Sequence, residues 1–122
     1  MKRVVITGMG INSCIGNTLE DVTHSLQNGI SGTRFNPIYA EMNFKSHVSA
    51  AAEQDFDGID RRLKRFMGVC AMYAYNAALA AVEHAGLTAE QIGGNPRYGI
   101  AGGSGGGSTA SVVEMKELLD TK

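Results

Sequence analysis

The stretch Arg97–Ala110, RYGIAGGSGGGSTA, decides how this chain is read. Glycine and serine fill positions 102–108. That composition fits a flexible linker. It fits equally a loop whose bare backbone lets a ligand come close. The flanks narrow the choice. Arg97–Gly102 (RYGIAG) reads as a strand, and Ser108 to Ser111 can cap a helix running through Val112, Met115, Leu118 and Leu119. A linker joins units, whereas this loop lies inside a strand–loop–helix unit. No lysine follows the glycines, so the loop is not a Walker motif. Its position would bring backbone amides toward the C-terminal end of the strand. A ligand-cradling loop and a plain flexible one remain equal readings of these residues.

The N-terminal stretch repeats the theme. Arg3–Thr7 (RVVIT) is short, β-branched and stops at Gly8, as expected of a buried strand feeding a turn. Gly8, Gly10 and Gly16 punctuate the turn. Asn17 is placed to cap the next helix, with Glu20 at the capping-box position, Leu19, Val22 and Leu26 on one face and Gly29 as the stop. The turn GMGINSCIG invites a dinucleotide reading, but Ser13 stands where the third fingerprint glycine belongs. No acidic ribose ligand follows about 20 residues on. A tight strand–helix turn is the better account.

Ile30–Gly58 carries Pro37 and scattered aromatics without a sustained period, so it reads as loop with a short strand near His47–Ala51. Apolar residues then recur at three and four from Leu63 to Ala85, which predicts one long helix over Asp60–His84 closed by Gly86. Its second half is small and apolar nearly all round, the mark of a helix buried on several sides. Thr88 and Gln91 have capping-box spacing for a brief helix to Ile92. Strands alternating with helices predict an α/β fold with at least partly parallel strands.

The chain has 122 residues, 11 basic against 12 acidic, for a net charge of -1. That is one modest domain, with no global charge argument for nucleic acid or an anionic membrane. No apolar run reaches transmembrane length, and the start has no secretory h-region. Cys14 and Cys70, the only cysteines, have neither CxxC nor zinc spacing and read as reduced thiols of a cytosolic protein. His24, His47 and His84 fall on separate elements and form no Ser-His-Asp or Cys-His arrangement. The sharpest charge feature is Asp60–Arg65, DRRLKR. Arg61, Arg62 and Arg65 share one helical face, and basic residues at a helix start oppose the macrodipole. A solvated helix start is the ordinary explanation; an acidic partner is the functional one.

Three stretches, in order and at matching spacing, resemble one family. VVITGMGINSCIGN is similar to the opening strand and turn of the β-ketoacyl-acyl-carrier-protein synthases, RRLKRFM to their arginine-rich helix start, and NPRYGIAGGSGGGS to their second strand and glycine loop. The S-x-I-G-N turn and the N-P-R-x-G stretch look closer to the bacterial type I elongating enzymes than to type II. The resemblance implies a thiolase fold, layered αβαβα and normally homodimeric, of which residues 1–122 would be a partial N-terminal domain with the remainder absent from this chain. It implies a decarboxylating Claisen condensation in fatty-acid synthesis, between an acyl group and malonyl-acyl-carrier protein, with no cofactor and no metal. Gly105, Gly106, Gly107 and Ser108 would line the acyl pocket. Arg61, Arg62 and Arg65 would receive the acidic carrier protein. The family's nucleophilic cysteine and two histidines have no counterpart here: Cys14 and Cys70 stand elsewhere, so no catalytic residue is expected in this chain and on its own it would be inactive. Two alternatives stay open: a Rossmann-type nicotinamide nucleotide module, and a non-catalytic partner subunit of thiolase fold.

Overall fold

The computed structural model describes residues 2–121. In chain order these form α1 (Leu19–Gln27), β1 (Arg34–Phe35), α2 (Pro37–Glu41), β2 (Val48–Ser49), α3 (Arg61–Lys64), α4 (Val69–His84), α5 (Ala89–Ile92) and α6 (Thr109–Asp120).

Side-chain caps set the helix starts. Thr18, one residue after the expected Asn17, caps α1 by accepting from the Asp21 amide at 3.1 Å. Asn17 instead donates from its side-chain amide to the Glu53 carbonyl, which ties the turn to the 51–55 segment. The acid that meets the capping threonine is therefore Asp21 and not Glu20. Gly29 ends α1 in the left-handed conformation at φ 62°, and Gly86 closes α4 in the same way at φ 66°. The Thr88–Gln91 capping box forms in both directions. Ser108 caps α6 by accepting from the Ser111 amide at 3.3 Å.

Three expectations need correction. The helix predicted over 60–84 is two helices. Arg65–Gly68 interrupts it, with Gly68 extended at φ -69°, ψ 162° as the N-cap of α4. Glycine loses more chain entropy in a helix than any other residue, so it ends one readily. Second, Ile30–Gly58 is more ordered than expected. Asn36 caps α2 with its side-chain oxygen, Pro37 opens that helix, and β1 pairs antiparallel with β2, Arg34 opposite Ser49 and Phe35 opposite Val48. The short strand near 47–51 is present as Val48–Ser49.

Third, Arg3–Thr7 and Arg97–Gly102 form no strands, and the parallel sheet of the α/β prediction is not seen; the described residues contain one two-stranded antiparallel sheet. A strand needs a neighbour for its amides and carbonyls, and neither segment pairs with another. Val4 is 95% exposed and Ile100 99%. Likewise no residue of α4 is buried, where the sequence predicts burial all round, and Leu79 lies in the open.

Packing is therefore thin. Among the described residues Ile59 is the one apolar side chain of the buried core, at 4% exposure, and no large side chain is fully enclosed. The accessible surface is 10481 Å². A compact chain of this mass would show about 6,300 Å².

The N-terminal turn packs closely on α4. A Cβ on Gly8 or Gly10 would run into the carbonyl oxygens of Ala81 and Ala77. The alanines of α4 let the turn approach, and side-chain hydrogen bonds fix it there. Asn12 donates to the Tyr73 carbonyl at 2.6 Å, and the Met9 amide donates to His84 Nδ1 at 3.0 Å. On the same helix, Tyr73 donates from its hydroxyl to the Ala52 carbonyl at 2.5 Å, and Asn76 to the Asp55 carbonyl at 3.0 Å. These bonds strap residues 51–56 along α4 and deliver the chain to α3.

Candidate carrier-docking and acyl-loop site

Asp60 builds the basic helix. Its carboxylate accepts from the Arg62 amide at 2.7 Å and caps α3. That acid offsets the unfavourable pairing of basic residues with a helix N-terminus. Of the four basic side chains that follow, Lys64 is engaged by Asp57 at 3.5 Å. Arg61, Arg62 and Arg65 are exposed and join no ion pair among the described residues. These are the three singled out from the sequence. Arg65 stacks its guanidinium over the Phe66 ring, 4.5 Å from the centroid, which holds one positive charge in a defined place.

The glycine loop is exposed from Gly102 to Gly107, and only Ser108, where it meets α6, is half-buried. Ser104 turns back on the loop, donating from its hydroxyl to the Gly106 carbonyl at 2.5 Å. None of the loop glycines has a positive φ. A Cβ at Gly105, Gly106 or Gly107 would meet no described atom within 4 Å. Neither backbone conformation nor internal crowding requires glycine at these three positions.

The two groups meet at one place. A Cβ on Gly68 would lie 3.0 Å from Ser108 Cβ. The N-cap of α4, directly after the basic segment, thus abuts the N-cap of α6, directly after the glycine loop. Beside this contact runs a groove of about 290 Å³ lined by Arg65, Phe66 and Met67 and, from α6, by Ser111, Glu114, Met115 and Leu118. Sequence reasoning used Phe66 and Met67 as core positions of a continuous helix. Gly68, next to them, was the available sign that the helix breaks and turns them outward.

The residues set aside in the sequence have structural roles. Ser13 and Gly16 exchange backbone hydrogen bonds at 3.0 and 3.4 Å, and the Ile15 amide donates to Ser13 Oγ at 3.3 Å. The amides of Ser13, Ile15 and Gly16 are thus engaged within the turn. His47 packs edge-on to Phe35 at 6.3 Å, His24 neighbours Asn28, and His84 accepts from Met9. Cys14 is a half-buried and Cys70 an exposed free thiol. Among the described residues no helix is long and apolar enough to cross a membrane.

Comparison with known proteins identifies the family. The family profile described as the β-ketoacyl synthase N-terminal domain matches residues 1–121. The chain is 47% identical over 109 residues to 3-oxoacyl-[acyl-carrier-protein] synthase 1 of Haemophilus influenzae, covering 88% of this chain and 27% of that protein. It is 44% identical over 109 residues to the enzyme of that name from Escherichia coli K12, with the same coverage, 88% and 27%. Against synthase 1 of Buchnera aphidicola subsp. Baizongia pistaciae it is 41% identical over 121 residues, 98% of this chain and 30% of that one. The chain spans 27–30% of the length of these relatives. The family profile spans residues 1–121, and the chain belongs to the β-ketoacyl synthase family, matching its N-terminal domain.

Proposed function

We propose that this chain is the N-terminal part of a 3-oxoacyl-acyl-carrier-protein synthase of the type I elongating class, acting in fatty-acid synthesis. The observation that carries this is the 47% identity over 109 residues to an enzyme of that name. In the reaction an acyl group passes from the carrier thiol to an enzyme cysteine, with loss of that thiol as leaving group. Malonyl-carrier protein loses carbon dioxide, and the resulting carbanion attacks the acyl thioester. The new carbon–carbon bond leaves 3-oxoacyl-carrier protein and the free enzyme thiol. The cysteine, two histidines and oxyanion-hole amides belong to family segments other than the one matched here, and neither Cys14 nor Cys70 is assigned the nucleophile's part.

What this segment contributes is recognition. Arg61, Arg62 and Arg65 form an unneutralised cluster fit for an acidic carrier protein. Steering of this kind raises association by about 10-fold or more and weakens with salt. Gly105, Gly106, Gly107 and Ser108 provide bare backbone along the acyl chain. That assignment accounts for glycines which nothing inside the described chain requires. The layered thiolase fold, with 3–7 and 97–102 as strands of a larger sheet, would cover Val4–Ile6 and Ile100, and the expected working form is a homodimer in the cytoplasm. The excess of accessible surface supports further protein covering these two segments.

The test is condensation by the full-length protein, given acyl- and malonyl-carrier protein without added metal or nucleotide. Formation of 3-oxoacyl-carrier protein with matching release of carbon dioxide is the expected result. Binding of a nicotinamide nucleotide without condensation would overturn the assignment.

A further inference from the structure

Between the N-terminal turn and the β1–β2 hairpin lies a cavity of about 350 Å³ that shares no residue with the basic helix or the glycine loop. We propose that it binds a small α-amino-acid zwitterion, with the carboxylate on Arg34 and the ammonium group between Glu53 and the side-chain carbonyl of Asn17. The site goes beyond the condensation and does not depend on it.

Three observations carry it. First, the cavity holds two opposite charges that do not neutralise each other. Arg34 and Glu53 both line it, and neither joins an ion pair among the described residues. A ligand of one sign would satisfy one of them and be opposed by the other. A molecule with a carboxylate at one end and an ammonium group at the other matches both. The planar fork of arginine suits a carboxylate in particular.

Second, an acceptor in the lining lacks a donor. The Asn17 side-chain nitrogen donates to the Glu53 carbonyl, which fixes how the amide points and leaves its Oδ1 buried without a partner. Buried polar atoms are nearly always hydrogen-bonded, so this oxygen calls for a donor. The same bond makes Asn17 and Glu53 neighbours. An ammonium group carries three donors and can serve the orphan oxygen and the Glu53 carboxylate together.

Third, the lining is held in place by this segment's own contacts. Arg34 stands on β1 opposite Ser49 of β2, and the strand after Ser49 delivers Glu53 to its bond with Asn17. Ser25, only 7% exposed, donates to the Ile15 carbonyl at 2.8 Å and ties α1 to the turn. Gly32 is buried so closely against Cys14 that a Cβ there would strike its carbonyl. A site fixed before its ligand arrives loses less entropy on binding. The volume is toward the small end for ligand pockets, and Ile15, Ile30 and Ala51 offer apolar wall for a short aliphatic side chain.

Cys14 lines the cavity as a half-buried free thiol and serves as the reporter. Full-length protein is alkylated with iodoacetamide, and modification of Cys14 and Cys70 is followed by peptide mass. L-alanine is the probe, with propionate and ethylamine as counterparts that each lack one of its charges. Cys14 alkylation is expected to slow about tenfold once alanine reaches about ten times its Kd, with Cys70 unchanged. Arg34→Met and Glu53→Gln are each expected to raise that Kd about tenfold, the loss of one charge-assisted contact, at unchanged melting temperature. Glu53→Gln keeps the backbone carbonyl that Asn17 uses. Protection by propionate equal to that by alanine, and untouched by Glu53→Gln, would make this an anion site and overturn the zwitterion. Protection that survives both substitutions, or no protection by alanine, would overturn the site. A Cys14 that iodoacetamide cannot reach in the absence of probe would mean that other protein fills the cavity, and would overturn it as well.

Discussion

Gly68 and Ser108 lie against each other so closely that one added methyl group reaches contact, 3.0 Å from Ser108 Cβ. Both are helix N-caps, one following the basic segment and one following the glycine loop. Gly68→Val should therefore destabilise the full-length protein by about 1–3 kcal/mol, the range for overpacking. Ser108→Gly alone should cost a few tenths, because glycine is a tolerable N-cap. Combined, the two should show a coupling of about 0.5 kcal/mol or more in a double-mutant cycle by urea unfolding. Strict additivity would mean that the two caps are not in contact.

Gly8 and Gly10 are glycines for a packing reason. Their virtual Cβ atoms meet the carbonyls of Ala81 and Ala77, backbone that cannot step aside. Gly8→Ala or Gly10→Ala should each lower stability by about 1–3 kcal/mol. Gly58→Ala, where a Cβ meets nothing within 4 Å and φ is not positive, should be neutral or gain a few tenths. Thermal melts of the three variants under identical conditions check the order. Equal melting temperatures would show that the turn does not rest on α4.

These same residues show what the sequence made legible. The helix starts capped by Thr18, Thr88 and Ser108 were readable to within one residue, since these side chains act through hydrogen bonds only three positions away, while the Asn36 cap of α2 was missed. Strands were not. The β-branched content of 3–7 and 97–102 states a preference that only a partner strand can satisfy, and partners are set by contacts distant in sequence. The break at Gly68 was missed because an apolar period at three and four runs through it, and periodicity reports burial more strongly than continuity. The three arginines were identified in advance, but the groove was not: it joins residues about 50 positions apart across a contact made by a residue with no side chain.

The glycine loop separates function from stability. Gly106 has free space around a Cβ and no positive φ, so Gly106→Val should leave the melting temperature within a few degrees of the parent. If the loop borders the acyl chain, the same variant should shift chain-length preference toward shorter acyl groups, read as the ratio of kcat/KM for long and short acyl-carrier substrates. An unchanged ratio would remove Gly106 from the acyl pocket. A large stability loss would mean that the loop packs against the rest of the protein.

Asp60 is the hinge between helix structure and charge. It caps α3 through the Arg62 amide at 2.7 Å and carries the one negative charge inside the basic run. Asp60→Ala removes both roles. It should cost about 1 kcal/mol of stability and loosen the short helix that presents Arg61 and Arg62. Asp60→Asn keeps a capping oxygen and removes only the charge. It should hold the parent's stability while speeding carrier association, by a factor of about two to three at low ionic strength and by nothing near 1 M salt, where the Debye length falls to about 3 Å. Stopped-flow association at both ionic strengths distinguishes the cases. If Asp60→Asn slows association instead, the partner meets this helix through Asp60 itself, and the approaching surface is basic.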